Sequence, residues 1–159
     1  MRERIFNIMS QFKANSPWSI DFTVKYDDQE NGLIFDIETA YSNYGHQTWI
    51  EFRVTGEMIR VIITHVFGTL HSDQRGSLSN LIDVLKANQN AGYHAAASYI
   101  AVIDLEDTLF VSLQGYSRYL AKWNDEDIAL AISIQLMDFV NALAMDPWPE
   151  AIQLWETPI

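Results

Sequence analysis

The residues between Asp27 and Glu38 come closest to a recognisable ligand pattern. A calcium-binding loop has oxygen donors at positions 1, 3, 5 and 12, which correspond here to Asp27, Gln29, Asn31 and Glu38. Its glycine at position 6 and its apolar residue at position 8 correspond to Gly32 and Ile34. An EF-hand also needs a helix on each side of its loop, whereas both flanks here alternate between apolar and polar residues. We therefore predict a hairpin turn that contains Asn31-Gly32, and no calcium site.

Two histidines and an aspartate form a second candidate. His65 and His71 are six positions apart and Asp73 follows closely. No second pair of ligand residues is spaced to complete a metal site, and His46 and His94 add nothing by their spacing. We therefore interpret His65 as a strand residue with ordinary hydrogen bonds, and His71 as a residue of a solvated loop.

Two acidic clusters could hold magnesium or act as paired carboxylates. They are Asp104/Glu106/Asp107 and Asp125/Glu126/Asp127. The first falls at a predicted turn, and the second at a predicted helix start, where acidic side chains complement the helix dipole. The sequence contains neither a phosphate-binding glycine loop nor a Gly-x-Ser-x-Gly nucleophile turn. We therefore predict no enzyme activity, no cofactor and no bound metal.

The composition is that of a folded domain. The chain has 159 residues, of which 48% are apolar, and this length lets about 70% of the unfolded chain's surface be buried. We expect a single domain over residues 1–159, with 147–159 as a C-terminal tail. The absence of Cys excludes disulfides and thiolate metal sites and is compatible with a cytoplasmic protein. The net charge of -11 disfavours nucleic acid and anionic membranes as partners.

Apolar periodicity predicts the elements that must position these residues. A stripe at helical spacing opens the chain and ends before Pro17; it consists of Ile5, Ile8, Met9 and Phe12. From Trp18 to Tyr26 the residues alternate with period two, which predicts a half-buried strand. The runs 33–41, 48–55 and 58–67 continue as strands of an antiparallel meander, with Gly56-Glu57 as the last turn.

The second half of the chain contains two further helical stripes separated by a hairpin. The first stripe ends by Gly92 and consists of Leu78, Leu81, Ile82 and Leu85. Two apolar runs, 99–105 and 109–114, then flank the predicted turn Glu106-Asp107. Asn124 or Asp125 caps a last helix with the stripe Ile128, Ile132, Leu136, Phe139 and Leu143. The predicted fold class is α+β, an antiparallel sheet packed by helices in the order α-ββββ-α-ββ-α.

This order of elements resembles the YbjN-like and type III secretion chaperone-like superfamily. The matching parts are Ile50-Glu51-Phe52-Arg53-Val54, the helical segment 78–85, the strand 98–104 and the last helix 128–143. The resemblance implies helices packed against a curved antiparallel sheet, and it implies a dimer. It carries over no catalytic residues.

Tryptophans mark the predicted partner or dimer surface. Trp49 shares a strand face with Glu51 and Arg53, a mixture of aromatic and charged residues that is typical of partner-binding sheets, although core packing is the alternative. Trp148 and Trp155 follow the last helix, where exposure to water would be costly. We expect the tail to fold back or to contact a second subunit. The predicted surface is Trp49, Arg53, Trp148 and Trp155.

These patterns predict a non-enzymatic protein-binding module that is chaperone-like and homodimeric. It would hold a segment of another polypeptide through apolar pockets and strand-edge pairing. The alternative is a small enzyme or ligand carrier with a pocket between sheet and helices around His65 and Tyr99. An uncovered strand edge or an apolar groove would favour the binding module, and a closed pocket with convergent ionisable groups would favour the alternative.

Overall fold

The computed structural model describes residues 1–29, 32–71, 73, 83, 98–144 and 148–159. Its elements are α1 (Arg2–Asn15), β1 (Asp21–Asp27), β2 (Gly32–Glu38), a 3₁₀ helix (Ala40–Tyr44), β3 (Gln47–Thr55), β4 (Met58–Leu70), β5 (Ser98–Leu105), β6 (Thr108–Leu120), α2 (Asp125–Leu143) and β7 (Ile152–Leu154). The strands form a seven-stranded antiparallel sheet in the order β1-β2-β3-β4-β6-β5, with β7 paired to the end of β4. The two α-helices given above pack together, within the described residues, against one face of the sheet, the inner face. The predicted α+β class and element order are confirmed, while the helix predicted over 78–85 lies, apart from Asp83, outside the described residues.

The first helix buries the stripe that the sequence predicts. Its four stripe residues are at most 2% exposed and belong to the core; they are Ile5, Ile8, Met9 and Phe12. The helix ends at Asn15, close to Pro17, because a proline disfavours helical backbone in the residue before it. Arg4 joins the two helices. Its Nε lies 2.7 Å from Asp125 Oδ1, and its guanidinium also donates to the carbonyl oxygens of Ala121 and Trp123.

The middle of the sheet follows the predicted alternation. In β2 the residues Leu33, Phe35 and Ile37 are buried, and Glu38 is exposed. Gly56, with a φ of 57°, closes the hairpin between β3 and β4 in the left-handed region that favours glycine. From this turn the register runs unbroken from Thr55 opposite Met58 to Gln47 opposite Val66. Buried aromatic rings from adjacent strands meet edge to face, as in the pair Phe35 and Phe52.

The second predicted hairpin is also confirmed. Glu106 and Asp107 have φ values of 45° and 68°, and the strands on either side pair directly at Leu105 and Thr108. Positive φ at both central residues is the signature of the tight turn that suits the twist of a hairpin. The strand that follows continues to Leu120, beyond the predicted end at residue 114, and pairs with nearly all of β4.

The predicted half-burial of the first strand is wrong. The strand begins at Asp21 rather than Trp18, and Val24 and Tyr26 are 44% and 51% exposed. It is an edge strand whose inner face contacts the core mainly through Phe22, which packs edge to face on the ring of Phe35. Alternation places Phe22 and Val24 on the correct face, but a register shift after Val24 sets Tyr26 opposite Ile34 on the outer face, and alternation could not show that little covers the strand.

The edge at β1 carries features that discourage further strand pairing. The register shifts between Val24 and Tyr26, which makes a bulge at Lys25. Two ion pairs hold its ends, Lys13 Nζ to Asp21 at 2.8 Å and Arg2 Nε to Asp27 at 2.7 Å. Bulges and charged side chains are common protections of sheet edges.

The last helix is capped as predicted. The Asn124 side chain accepts a hydrogen bond of 2.7 Å from the Asp127 amide, and acidic residues occupy the first turn. Of the predicted stripe, Leu143 is half-buried and the other four residues are buried. Neither α-helix in the described part of the chain is long and apolar enough to cross a membrane.

The tail folds back as a strand that the sequence did not predict. Residues Ile152 to Leu154 pair with Leu70 to Gly68, and the Trp155 amide donates to the Phe67 carbonyl oxygen at 3.0 Å. Gly68 is required here because a Cβ atom at this position would lie 2.6 Å from the Gln153 carbonyl oxygen.

Candidate functional site

A cavity of about 440 Å³ lies between the sheet, the 3₁₀ helix and α2. The loop before β1 forms one wall, and the tail contributes Pro158. Most of the lining is apolar or aromatic, and the polar side chains include Thr48 and His65 on adjacent strands; the full lining is Pro17, Trp18, Ser19, Thr39, Ala40, Tyr41, Thr48, His65, Leu136, Val140 and Pro158. A concave apolar space with a few polar groups is the usual form of a small-molecule site.

Four polar groups form a hydrogen-bonded chain that starts at this cavity. Thr48 Oγ1 lies 2.7 Å from His65 Nδ1, and His65 Nε2 lies 3.1 Å from His46 Nδ1. His46 Nε2 in turn lies 2.8 Å from the carbonyl oxygen of Glu156 in the tail. Thr48, His65 and His46 are all nearly inaccessible to water. The chain therefore links the cavity wall to the tail.

The direction of these hydrogen bonds follows from the last acceptor. A carbonyl oxygen only accepts, so His46 carries its proton on Nε2 and its Nδ1 accepts. His65 must then donate from Nε2 and accept at Nδ1, which leaves the Thr48 hydroxyl as the donor to His65. One arrangement of protons satisfies all three contacts when both rings are neutral.

Burial keeps these rings neutral. Desolvation, with a smaller contribution from His46, lowers the pKa of His65 to about 3. Desolvation also lowers the pKa of His46, although backbone groups of Glu156 and Trp155 oppose this shift. Burial raises the pKa of the neighbouring Tyr41 hydroxyl. No ring in this cluster is therefore charged at neutral pH.

Aromatic rings enclose the two histidines. The Tyr41 ring centroid is 5.3 Å from that of His46 and 5.8 Å from that of His65, both edge to face. The Trp155 ring packs against His46 at 5.8 Å and against Phe110 at 6.2 Å. The tail thus covers the cluster by backbone pairing and by ring packing together.

Comparisons with protein-family models, with curated proteins and with solved structures find no match.

The geometry does not assemble the calcium pattern. Asp27 ends β1 opposite Leu33, near the start of β2, whereas Glu38 ends β2 opposite Asp21. Six residues of extended strand separate Gly32 from Glu38, a distance of roughly 20 Å. The Asp27 carboxylate instead pairs with Arg2 and accepts a hydrogen bond of 2.8 Å from the Gln29 amide. Asn31 lies outside the described residues.

The structure also separates the predicted histidine group. His65 is buried on the inner face, whereas His71 and Asp73 are exposed. Tyr99 lies on the outer face, in the row of Gln114 and Thr64, and therefore does not share a pocket with His65. Within the described ranges no three His, Asp or Glu side chains are grouped as metal ligands.

His46 is the residue of the candidate site that sequence spacing missed. It lies 19 positions before His65, and neither helical nor strand periodicity relates the two. The predicted hairpin did contain the signal, since pairing Thr55 with Met58 and counting back places Thr48 opposite His65, with His46 just beyond. The close approach of the two rings still depends on the tail, which periodicity does not place.

The acidic clusters occupy the structural positions that were predicted for them. Glu106 and Asp107 form the tight turn of the β5–β6 hairpin. Asp125 begins α2, where it pairs with Arg4 and accepts 2.7 Å from the Asn7 side-chain amide. These contacts account for the turn and the helix start without a bound ion.

The four residues of the predicted partner surface lie in three places. Trp49 is half-buried on the outer face, with Lys25 Nζ 4.8 Å from its ring centroid. Arg53 is on the same face and pairs with Glu51 at 2.7 Å. Trp148 packs on Phe67 with ring centroids 4.9 Å apart, and Trp155 packs on His46. The two tail tryptophans thus contact their own chain, and contact with a partner stays a prediction.

Proposed function

We propose that the protein is a non-enzymatic binding module that holds an apolar segment of another polypeptide. One observation carries this proposal, the exposed apolar stripe of α2. Leu130, Ile134 and Met137 are 55%, 52% and 40% exposed. They follow the spacing i, i+4, i+7 and so form one continuous stripe along the helix.

The composition of α2 supports this interpretation. Between Asp127 and Leu143 the helix carries a single charged residue, Asp138. Its opposite side is buried against the sheet and α1, so the helix is apolar on nearly every side. Such helices are normally covered all round, whereas an ordinary surface helix presents charged residues to water. A partner segment would supply the missing cover.

The histidine cluster favours binding over catalysis. Both ring nitrogens of His65, and both of His46, already have hydrogen-bond partners. A general base needs a pKa near the working pH. His65 lacks this property, because burial lowers its pKa to about 3.

We also propose that the protein is a homodimer joined through β5, the second edge of the sheet. Among the described residues, β5 pairs only with β6, and the pairing is free of register shifts. Its middle residues, 99–103, are all apolar or aromatic, whereas the other edge strand has Lys25 at its bulge. An edge that lacks protection is suited to pairing with another strand.

The binding proposal is tested with the stripe variant Ile134→Ser and the control Asn141→Ser, an exposed polar position of the same helix. We expect the purified protein to slow the aggregation of a permanently unfolded, apolar polypeptide. Ile134→Ser should abolish most of this effect, while Asn141→Ser should retain it. Equal activity of the two variants would contradict the assignment to this stripe.

Light scattering tests the dimer. The wild-type protein should have twice the monomer mass. Ala101→Lys, which places a charge on the edge strand β5, should be monomeric, and Thr23→Lys at the other edge should remain dimeric. A wild-type monomer would refute the dimer, and a dimeric Ala101→Lys variant would refute this interface.

A second function, a carrier of small apolar ligands, is favoured by the cavity beside Thr48. Its volume of about 440 Å³ lies in the range of ligand pockets. The Thr48 hydroxyl donates to His65 and therefore presents its oxygen to the cavity as an acceptor. An apolar fluorescent probe should bind, and Ala40→Phe, which fills the cavity, should displace it. Probe binding unchanged by Ala40→Phe would contradict this second function.

A further inference from the structure

Three arginines form one row across the outer face of the sheet. Arg60 of β4 pairs directly with Arg53 of β3 on one side and with Arg118 of β6 on the other. Neighbouring strands lie about 4.8 Å apart, so three guanidinium groups project from a short line of backbone. All three residues are exposed. The row is unusual in a chain whose net charge is -11.

Repulsion within this row destabilises the protein when no partner is bound to it. Like charges that face each other directly across antiparallel strands repel. Glu51 pairs with Arg53, and Asp28 also acts on Arg53, so its charge is partly balanced. No acidic side chain in the described part of the chain pairs with Arg60 or Arg118. The row therefore presents an excess of positive charge at its centre and at its β6 end.

Hydrogen-bond donors remain available on both arginines. A guanidinium has five N–H groups. Arg118 uses its Nε to donate to the Tyr116 hydroxyl at 2.9 Å, and its guanidinium lies 5.2 Å from the centre of that ring. The described residues supply no acceptor for the Arg60 side chain. Both groups can still bind a carboxylate in the two-pronged geometry that arginine favours.

Apolar side chains flank the row. Tyr116 and Leu120 neighbour Arg118 on the outer face of β6, and both are more than a third exposed. Ile62 lies beside Arg60 on the outer face of β4 and is half-buried. The surface therefore combines unneutralised arginines with aromatic and aliphatic contacts, which are the residue types enriched at protein interfaces.

We infer that the row Arg53-Arg60-Arg118 is a docking surface for an acidic polypeptide segment that also carries apolar side chains. Charge complementarity selects this occupant. A second copy placed face to face would oppose arginine with arginine. A nucleic acid is a long polyanion, and the chain has about twice as many acidic as basic residues. The acidic residues outside the three-arginine row would therefore repel its phosphates. The surface lies on the opposite side of the sheet from α2 and is independent of the stripe.

The test uses a labelled peptide of alternating Glu and Ser with Leu at intervals, and a counterpart with Lys in place of Glu. Fluorescence anisotropy should detect binding of the acidic peptide, and its affinity should fall as the ionic strength rises. Its affinity for Arg60→Gln and for Arg118→Gln should be about tenfold or more lower than for the wild type. Any binding of the basic peptide should not depend on Arg60 or Arg118. Lys13→Gln is the matched control, since it removes one positive charge from α1.

Two further measurements test whether the Arg60→Gln variant folds and whether the row prefers a peptide to a nucleic acid. Arg60→Gln should melt no lower than the wild type, because it relieves repulsion in the row. Equal acidic-peptide affinity of Arg60→Gln and Lys13→Gln would overturn the inference. Tighter, Arg60-dependent binding of single-stranded oligothymidine than of the peptide would overturn it in favour of nucleic acid. The Ile134→Ser variant should bind the acidic peptide normally, so failure of the stripe and failure of the row are distinguishable.

Discussion

His46 Nδ1 lies 3.1 Å from His65 Nε2, and the two neutral rings satisfy this contact with a single arrangement of protons. A proton added to His46 Nδ1 would force the His65 ring to exchange its donor and acceptor nitrogens, because two N–H groups cannot face each other. A second would place two positive rings in contact inside the protein. The pair is therefore a structural contact that acid should disrupt.

We predict that stability falls as the pH drops from about 6.5 to about 4.5. The pKa of His65 is about 3 in the folded protein and 6.5 as the ordinary value, so the unfolded state binds the extra proton across this window. The expected loss approaches about 1.4 kcal/mol per pH unit for one such histidine. Urea unfolding at a series of pH values measures it.

The control variant for the pH series is His71→Gln, which removes an exposed histidine and should leave the profile unchanged. Carboxylates take up protons, and so affect stability, at lower pH than the histidine pair. The pKa of Asp21 is lowered mainly by its hydrogen bond to Lys13, so its contribution is lost only as the pH falls below about 4. A flat stability profile between pH 6.5 and 4.5 would contradict the neutral, buried histidine pair.

Replacing Thr48 by Val should destabilise the protein by about 1–3 kcal/mol, because the shape is retained while His65 Nδ1 loses its buried donor. Thr55→Val, at an exposed position of the same strand, should change stability by less than about 0.5 kcal/mol. Denaturant midpoints of the two variants decide the matter. Equal effects would show that Thr48 does not donate to His65.

Gly68→Ala should detach the tail strand. The added methyl group would lie 2.6 Å from the Gln153 carbonyl oxygen, which is part of the backbone and cannot rotate away alone. Faster hydrogen exchange at Leu154 and faster proteolysis of the tail should report the change. Thr69→Ala, at the next position, should not produce it. A tail that stays protected in Gly68→Ala would mean that β4 yields instead.

Trp148→Ala should lower stability by about 2 kcal/mol, less than the roughly 3–5 kcal/mol of a fully buried tryptophan. The reason is its packing on Phe67 with ring centroids 4.9 Å apart. Removal of residues 146–159 should cost more, because it also removes the pairing of β7. Thermal melts measure both. If light scattering shows that truncation leaves stability intact and only dissociates the dimer, the tail belongs to the interface instead.

Calcium should neither bind nor stabilise the protein. The pattern residues Asp27 and Glu38 lie at opposite ends of the β1–β2 pair, and Asp27 already pairs with Arg2. A ligand selective for the folded state must raise its stability, so melts with and without millimolar calcium are a sufficient measurement. An upward shift that Asp27→Ala removes would restore the calcium interpretation.

The sequence predicts the centre of this fold better than its margins. The strands β2 and β3 and the first half of β4 alternate in burial as they alternate in sequence, whereas residues 63–68 of β4 are all buried. Burial of β1 was overestimated because period two shows neither what covers a face nor where a bulge shifts the register. Strand β7 has three residues and pairs with a strand far away in sequence, and no local pattern marks such a contact.

In the candidate site, too, contacts that follow from a local pattern can be predicted and contacts between distant parts of the chain cannot. The hairpin register, which follows from a local turn, is enough to pair Thr48 with His65. The enclosure of His46 depends on Tyr41, Trp155 and the Glu156 carbonyl oxygen, which arrive from separate parts of the chain. The exposed stripe of α2 is visible in the sequence as an excess of apolar residues, but its exposure becomes evident only once the neighbours of the helix are placed.

The unequal edges of the sheet limit how large an assembly can grow. Fibres form when one edge of each copy accepts the opposite edge of the next, because such head-to-tail contacts never close. The bulge and the charges at β1 oppose that repeat, so β5 is the more receptive of the two outermost strands in the described sheet. In the proposed dimer the recruited strand is β5 of a second copy, a twofold axis relates the two chains, and each copy has used its more receptive edge. Growth of an assembly through these edges would then stop at two.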